Sequence, residues 1–138
     1  MLHSTPFLLF DGNCAEAMTF YHQALGGELT LTKLAYTPMK AQFPESKHER
    51  IIYAQLKNGM VDFSATDWMA APEYLPKQGN TFSIYLVGNA YAELKEVFDK
   101  LSEGASKEHF QELHEMPFGI YGQFTDKFNV PWIFKGDK

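Results

Sequence analysis

The sequence holds a single cysteine, Cys14, so no disulfide can close within the chain, and a reducing cytoplasm is the expected compartment. It has no apolar run of about 18 residues, the length that spans a bilayer, and no charged-then-apolar leader. Membrane-spanning and secreted readings are therefore not expected. It also lacks a basic cluster. The formal net charge is −5, which sets nucleic acid and anionic membranes aside as partners. No glycine-rich dinucleotide fingerprint follows a strand, no GxxxxGK[ST] loop is there to cradle phosphates, and no GxSxG nucleophile elbow occurs. The strand order of a doubly wound methyltransferase is missing as well.

What is present is a chain of 138 residues, 45% hydrophobic and 15% aromatic, long enough for one domain that buries roughly two-thirds of its unfolded surface. The aromatic share exceeds what a minimal core requires; a lined cavity, an oligomer interface or a ring-rich core would each account for it. The organising stretch is Phe7 to Gly27. Phe7-Leu8-Leu9-Phe10 reads as a buried strand bounded by Pro6 and Asp11-Gly12. Asn13 stands where an N-cap belongs, and Glu16 three residues on completes a capping-box pattern. Ala17, Phe20, Tyr21, Ala24 and Leu25 recur at helical spacing, and Gly26-Gly27 ends the helix.

Further along, residues 28–34 alternate as a half-buried strand, and residues 36–49, with two prolines, read as a surface loop. Residues 50–57 and 60–66 form a hairpin, with Asn58-Gly59 expected as the central pair of a type I′ turn. Residues 67–80 form the longest irregular segment and the seam between halves. Then a strand (81–87), a Gly88-Asn89 turn and a helix (about 90–101, apolar at Leu94, Val97, Phe98 and Leu101) repeat the opening unit. A poorly patterned segment (106–115) and strands at 119–125 and 130–135 follow, so each half reads β-α-β-β-β. No flexible linker separates the halves.

The motifs FDGNCAEAMTFYHQALGG (10–27), IIYAQLKNGMVDFSATD (51–67) and GQFTDKFNVPWIF (122–134) resemble the PhnB-like branch of the vicinal-oxygen-chelate superfamily, the glyoxalase/bleomycin resistance/dioxygenase group. The resemblance covers nearly the whole chain. It implies an α+β fold of two βαβββ modules forming a curved, barrel-like mixed sheet with helices outside, often in a homodimer. On this reading residues 1–138 are one domain: module 1 at about 5–67, a loop at 68–80, module 2 at about 81–135. Some relatives hold a divalent metal and carry out isomerisation, dioxygenation or epoxide opening; others only bind a drug-like molecule. Members of the PhnB-like branch have been labelled methyltransferases or linked to phosphonate genes.

The metal enzymes of this group present His, Gln or Glu on the first and last strands of each module. Their pattern, carried onto this chain through Phe20-Tyr21, falls on Pro6, Phe63 or Ala65, Phe82 and Ile133, none of which offers an oxygen or imidazole donor. A shift of one or two positions reaches His3 or Thr5, Asp62 or Ser64, and Ser83, but still nothing in Val130-Pro131-Trp132-Ile133-Phe134. No metal ligands and no cofactor are therefore expected. Among His109, Glu112, His114 and Glu115, a helix would put His109 and Glu112 on one face and a strand would put Glu112 and His114 on one, although a solvated charged edge is the plainer account. Cys14, at a helix start, could have a lowered thiol pKa, although a small buried residue is the plainer account.

The expectation is thus a metal-free protein binding a small organic molecule in an apolar, ring-lined cleft. Phe63, Ala65, Phe82, Ile84 and Ile133 are expected to face that cleft, with Tyr53 and Trp68 as polar-tipped lining residues. Two alternatives stand beside it. One is a metal-dependent enzyme of the same superfamily (lyase/isomerase, dioxygenase or antibiotic-modifying) whose ligands lie in another register. The other is a structural or partner-binding dimer.

Overall fold

The computed structural model describes residues 1–69, 75–77 and 79–137. The chain divides into two compact units, residues 1–77 and 78–138. The first contains β1 (Phe7–Phe10), α1 (Cys14–Leu25), β2 (Glu28–Lys33), β3 (Ile51–Asn58) and β4 (Val61–Asp67). The second contains β5 (Ile84–Gly88), α2 (Tyr91–Leu101), β6 (Gln111–Met116), β7 (Gly119–Thr125) and β8 (Pro131–Gly136). Each unit has one four-stranded mixed sheet, ordered β1-β4-β3-β2 in the first and β5-β8-β7-β6 in the second. The first strand of each unit joins its sheet in parallel, and the remaining pairs are antiparallel. The repeat seen in the sequence is thus a repeat of topology. Neither sheet closes on itself as a barrel among the described residues.

In the first unit α1 lies across β3, β2 and β4. Its buried stripe of Cys14, Ala17, Met18, Tyr21 and Ala24 meets Phe63, Ala65, Ala54 and Leu56 from the sheet. Tyr21 stands edge-on to Phe63, with ring centroids 5.8 Å apart. Ring pairs in this geometry contribute about 0.5–1.5 kcal/mol beyond the area they bury. In the second unit α2 packs on β5 and β8. Phe98 contacts Phe124 and Phe134 edge-on at 5.0 Å each. Gly122 makes this possible, because a Cβ there would come within 3.0 Å of the Phe98 ring and 2.8 Å of Leu113.

Two buried carboxylates tie the turns to the sheets. Asp67, at the end of β4, accepts from the backbone N–H groups of Gly12 (2.8 Å), Cys14 (3.0 Å) and Ile51 (2.9 Å). Asp126 accepts from the N–H groups of Phe128 and Val130 and from Trp132 Nε1 at 2.7 Å, fixing the β7–β8 turn. Both residues are 1% exposed.

Several local expectations are corrected. Asn13 occupies the cap position of α1 but makes no side-chain capping bond. Asp67 supplies the oxygen instead, from across the sheet. The β3–β4 hairpin forms with Asn58 opposite Val61, so its loop is Gly59-Met60, one residue later than a type I′ Asn-Gly pair. Only Gly59 in that loop has positive φ (+62°), the requirement of a type II′ turn at its first central position. β5 starts at Ile84, leaving Phe82 before the strand and 87% exposed. The loop at 34–49 is built from three short 3-10 turns, Leu34–Tyr36, Pro38–Gln42 and Glu45–Lys47. Its ends are pinned by Leu34 N to Arg50 O and Ala35 N to His48 O, both 2.8 Å. The irregular seam at 67–80 lies partly outside the described residues.

Candidate functional site

A sheet covered by a helix on one side leaves its other side for recognition. On β4 the side chains of Phe63, Ala65 and Asp67 point toward α1, so Asp62, Ser64 and Thr66 point away from it. The register carries this alternation to the neighbours. Phe7 lies opposite Ser64 and Leu9 opposite Thr66 on β1, while Gln55 lies opposite Ser64 on β3. The helix-free face of the first unit therefore combines a polar centre with large apolar residues at its border. Phe7, Leu9 and Tyr53 are 55%, 42% and 42% exposed, far from the fully buried state of the rings beneath α1.

The polar centre is hydrogen-bonded throughout. Gln55 Nε2 donates to Asp62 Oδ1 at 3.1 Å, and His3 Nε2 lies 3.2 Å from Asp62 Oδ2. The Thr5 hydroxyl donates to the Asp62 backbone carbonyl, and Ser64 N donates to Pro6 O at 3.0 Å, so the segment before β1 is stitched to β4. The Tyr53 and Ser64 hydroxyls stand 3.4 Å apart. The Gln55 hydrogen bond holds the Asp62 carboxyl below the usual carboxylate range; His3 and the charge of Lys57 act in the same direction, against partial desolvation. Asp62 is therefore anionic at neutral pH.

Each expected lining residue can now be placed. Tyr53 lies on the helix-free face and is part-exposed. Phe63 and Ala65 do not face outward; they are 1% and 0% exposed beneath α1. A shift of one residue turns every side chain of a strand to the other face, and β4 differs from the expected alternation by that one residue. Ile84, opposite the fully buried Trp132, belongs to the core under α2, whereas Ile133, opposite Tyr85, lies on the helix-free face of the second sheet. There it neighbours Gln123, with Tyr85 and Val87 57% and 64% exposed on β5. Phe82 precedes that sheet. Trp68 directly follows β4; its N–H bonds Phe10 O at 2.6 Å, and its carbonyl accepts from Arg50 at 2.7 Å. Its indole Nε1 is buried without an acceptor among the described residues.

The donor set can be tested against a divalent metal. On the helix-free face of the first sheet the only imidazole and carboxylate in contact among the described residues are His3 and Asp62, and they are bonded to each other. On the second, Ile133 of the inner strand β8 lies opposite Tyr85 of the edge strand β5, and neither offers an imidazole or carboxylate. No group of three or more His, Cys, Asp or Glu side chains close enough to hold a metal ion occurs among the described residues. Structural and catalytic zinc sites use three or four such ligands, so these residues do not fit the ion that some metal-dependent members hold. His114 and Glu112 sit on the exposed edge strand β6, where His114 Nδ1 approaches the Glu112 carbonyl at 2.7 Å, so neither gathers a cluster. Cys14 is buried, and its pKa is pushed up to about 12 by desolvation and then by the Asp67 charge. Burial outweighs any help from the helix dipole, and the thiol is not a nucleophile.

Sequence reasoning reached His3, Thr5, Asp62 and Ser64 only as shifted alternatives and missed Gln55 and Phe7. Polar residues at positions 62, 64 and 66 alternating with Phe63, Ala65 and Asp67 were the available signal, obscured because Asp67 is itself polar and buried.

Known proteins share this fold. The family model of the Glyoxalase/Bleomycin resistance protein/Dioxygenase superfamily matches residues 3–134. Protein YjdN of Escherichia coli (strain K12) is 28% identical over 142 residues, covering 94% of this chain and 91% of that protein. The crystal structure of protein PA1353 from Pseudomonas aeruginosa superposes with a TM-score of 0.84 at 32% identity, covering 99% of this chain and 98% of that one. A PhnB protein from Bacillus cereus, bearing a 3-demethylubiquinone-9 3-methyltransferase name, superposes at 0.73 with 22% identity, covering 98% and 99%; that likeness is one of fold. With its paired βαβββ units and a family match along almost its whole length, the chain belongs to the Glyoxalase/Bleomycin resistance protein/Dioxygenase superfamily.

Proposed function

We propose that this protein binds a small, largely apolar organic molecule carrying an aromatic ring, and that the helix-free face of the first unit supplies part of the contact. The observation that carries the reading is the group Phe7, Leu9 and Tyr53, left substantially exposed around a satisfied polar centre. Apolar walls with a few fixed polar groups are what small-molecule sites are made of: the walls supply affinity, and the polar atoms set orientation. Burying one such side chain against a ligand contributes about 1.5–3 kcal/mol. A reducing cytoplasm suits a chain whose single thiol is buried. Assembly as a homodimer, expected from the family resemblance, belongs to the same proposal. The methyltransferase name of the Bacillus cereus relative is not carried over, because that chemistry would need a cofactor-binding loop that the sequence lacks.

The test is a thermal-shift and tryptophan-fluorescence screen of aromatic compounds. At 100 times Kd a ligand stabilises by about 2.7 kcal/mol, a Tm rise of several degrees for a chain of this size. Phe7→Ser and Leu9→Ser should weaken that ligand at least about tenfold while barely moving the Tm of the free protein. A broad screen with no shift overturns the reading. Variants that change the mass in light scattering but not ligand affinity would assign the face to a second copy of the chain.

A further inference from the structure

We propose that His3 and Asp62 form a general-base dyad that removes a proton from the bound molecule, His3 acting as the base and Asp62 as its positioning residue. This rests on the binding reading above and deepens it by assigning a reaction class, proton abstraction from a weakly acidic C–H. Three features of the geometry point to it. The Asp62 side chain is sheltered, at 13% exposure, while His3, bonded to it at 3.2 Å, is 73% exposed and open to a substrate. The second carboxylate oxygen is held by Gln55 Nε2, so the carboxylate cannot rotate freely. The backbone reaching His3 is fixed to β4 by the Thr5 hydroxyl and by Pro6 O.

The tautomer follows from the chemistry of the pair. A neutral imidazole beside a carboxylate must turn an N–H toward it, which assigns the proton to Nε2 and leaves the Nδ1 lone pair free. Nδ1 has no hydrogen-bond partner among the described residues. The charged groups acting on Asp62 are His3 itself and Lys57, which faces it across the β3–β4 ladder. As Nδ1 gains a proton, the imidazolium gains a carboxylate counter-charge already in place. Orienting the base in this way is the general role of an acidic partner to a catalytic histidine. The exposed Phe7, Leu9 and Tyr53 would hold an apolar ring beside it.

5-Nitrobenzisoxazole is a suitable probe because its ring opening needs a base and no other reagent. Nδ1 takes the C3 proton, the C–H pair becomes the third bond of a nitrile, and the N–O bond breaks with its electrons on the phenolate oxygen. The imidazolium then returns its proton to water. Binding is measured separately with 5-nitrobenzotriazole, an isostere that cannot open. His3→Gln should lower kcat by about 100-fold or more while changing affinity for the isostere less than twofold. Asp62→Asn should lower kcat less, and the 15N shifts of His3 should change from the Nε2–H form to a tautomer mixture. Wild-type turnover no faster than equimolar imidazole, or unchanged turnover in His3→Gln, overturns the dyad. If the isostere does not bind, the binding reading fails for this ligand class and the 15N spectrum decides the dyad alone. A wild-type tautomer mixture identical to that of Asp62→Asn overturns it; a dominant Nε2–H form supports it.

Discussion

Replacing Asp67 tests whether one carboxylate holds the first unit together. Its two oxygens receive three backbone N–H groups from three places: the β1–α1 turn, the first residue of α1, and the start of β3. In Asp67→Ala all three donors lose their acceptor in a site 1% exposed. An unsatisfied buried donor costs about 1–3 kcal/mol, so the loss is roughly 3–9 kcal/mol, against a total stability of about 5–15 kcal/mol for such a domain. The alanine variant should be largely unfolded or severely destabilised. Asp67→Asn grades the effect. Its carbonyl can still accept from Gly12 and Cys14, but its NH2 would confront the Ile51 N–H, donor against donor, a loss of about 1–3 kcal/mol. Urea unfolding followed by circular dichroism measures both, and amide exchange at Gly12, Cys14 and Ile51 should rise together. If Asp67→Ala lost less than about 1 kcal/mol, the capping role assigned to this residue would be wrong.

Two further outcomes follow from local environments. Burial, and after it the Asp67 charge, raises the Cys14 thiol pKa in the folded chain from its ordinary 9.0 to about 12, so the unfolded chain releases the thiol proton first. Its contribution to stability is complete below pH 9 and declines as pH rises toward 12, by about 1.4 kcal/mol per pH unit at most. Urea unfolding of wild type and Cys14→Ala at pH 8 and pH 10 should show the difference, and thiol reagents should react only after denaturation. Gly27 has φ +85°, and a Cβ there would lie 2.4 Å from Lys57 O, whereas Gly59 at φ +62° has open space. Gly27→Ala should therefore cost more than about 2 kcal/mol, and Gly59→Ala about 1 kcal/mol, in melting experiments.

Local rules carried the two helices, the hairpin and the doubled unit, because each is written in neighbouring residues: the stripe of Ala17, Tyr21 and Ala24, the stop at Gly26, the turn beside Gly59. The site was harder to read. Phe63 and Ala65 look like lining residues until the partner of their strand is known, and which face of a strand is inside depends on where the helix settles. Strand β6, Gln111–Met116, carries almost no apolar alternation because it is an exposed edge, so its pattern was silent. Asp67 is the last residue of β4. Nothing near it in sequence reveals that its partners sit more than fifty residues upstream and sixteen upstream. His3 and Asp62 are equally distant along the chain, and only the parallel pairing of β1 with β4 brings them together.

That parallel pairing also sets an order of events. Phe7 aligns with Ser64 and Ile84 with Trp132, so the first segment made in each unit is the one that must wait for the last. On a ribosome, β2–β3 and β6–β7 can zip as they emerge, but β1 has no neighbour until β4 has left the tunnel. Long-range closures of this kind slow folding, since chain entropy is lost before contacts repay it. A nascent chain halted ahead of residue 61 should therefore expose an unpaired, ring-bearing N-terminal strand, the state in which a holding chaperone would find most to grasp.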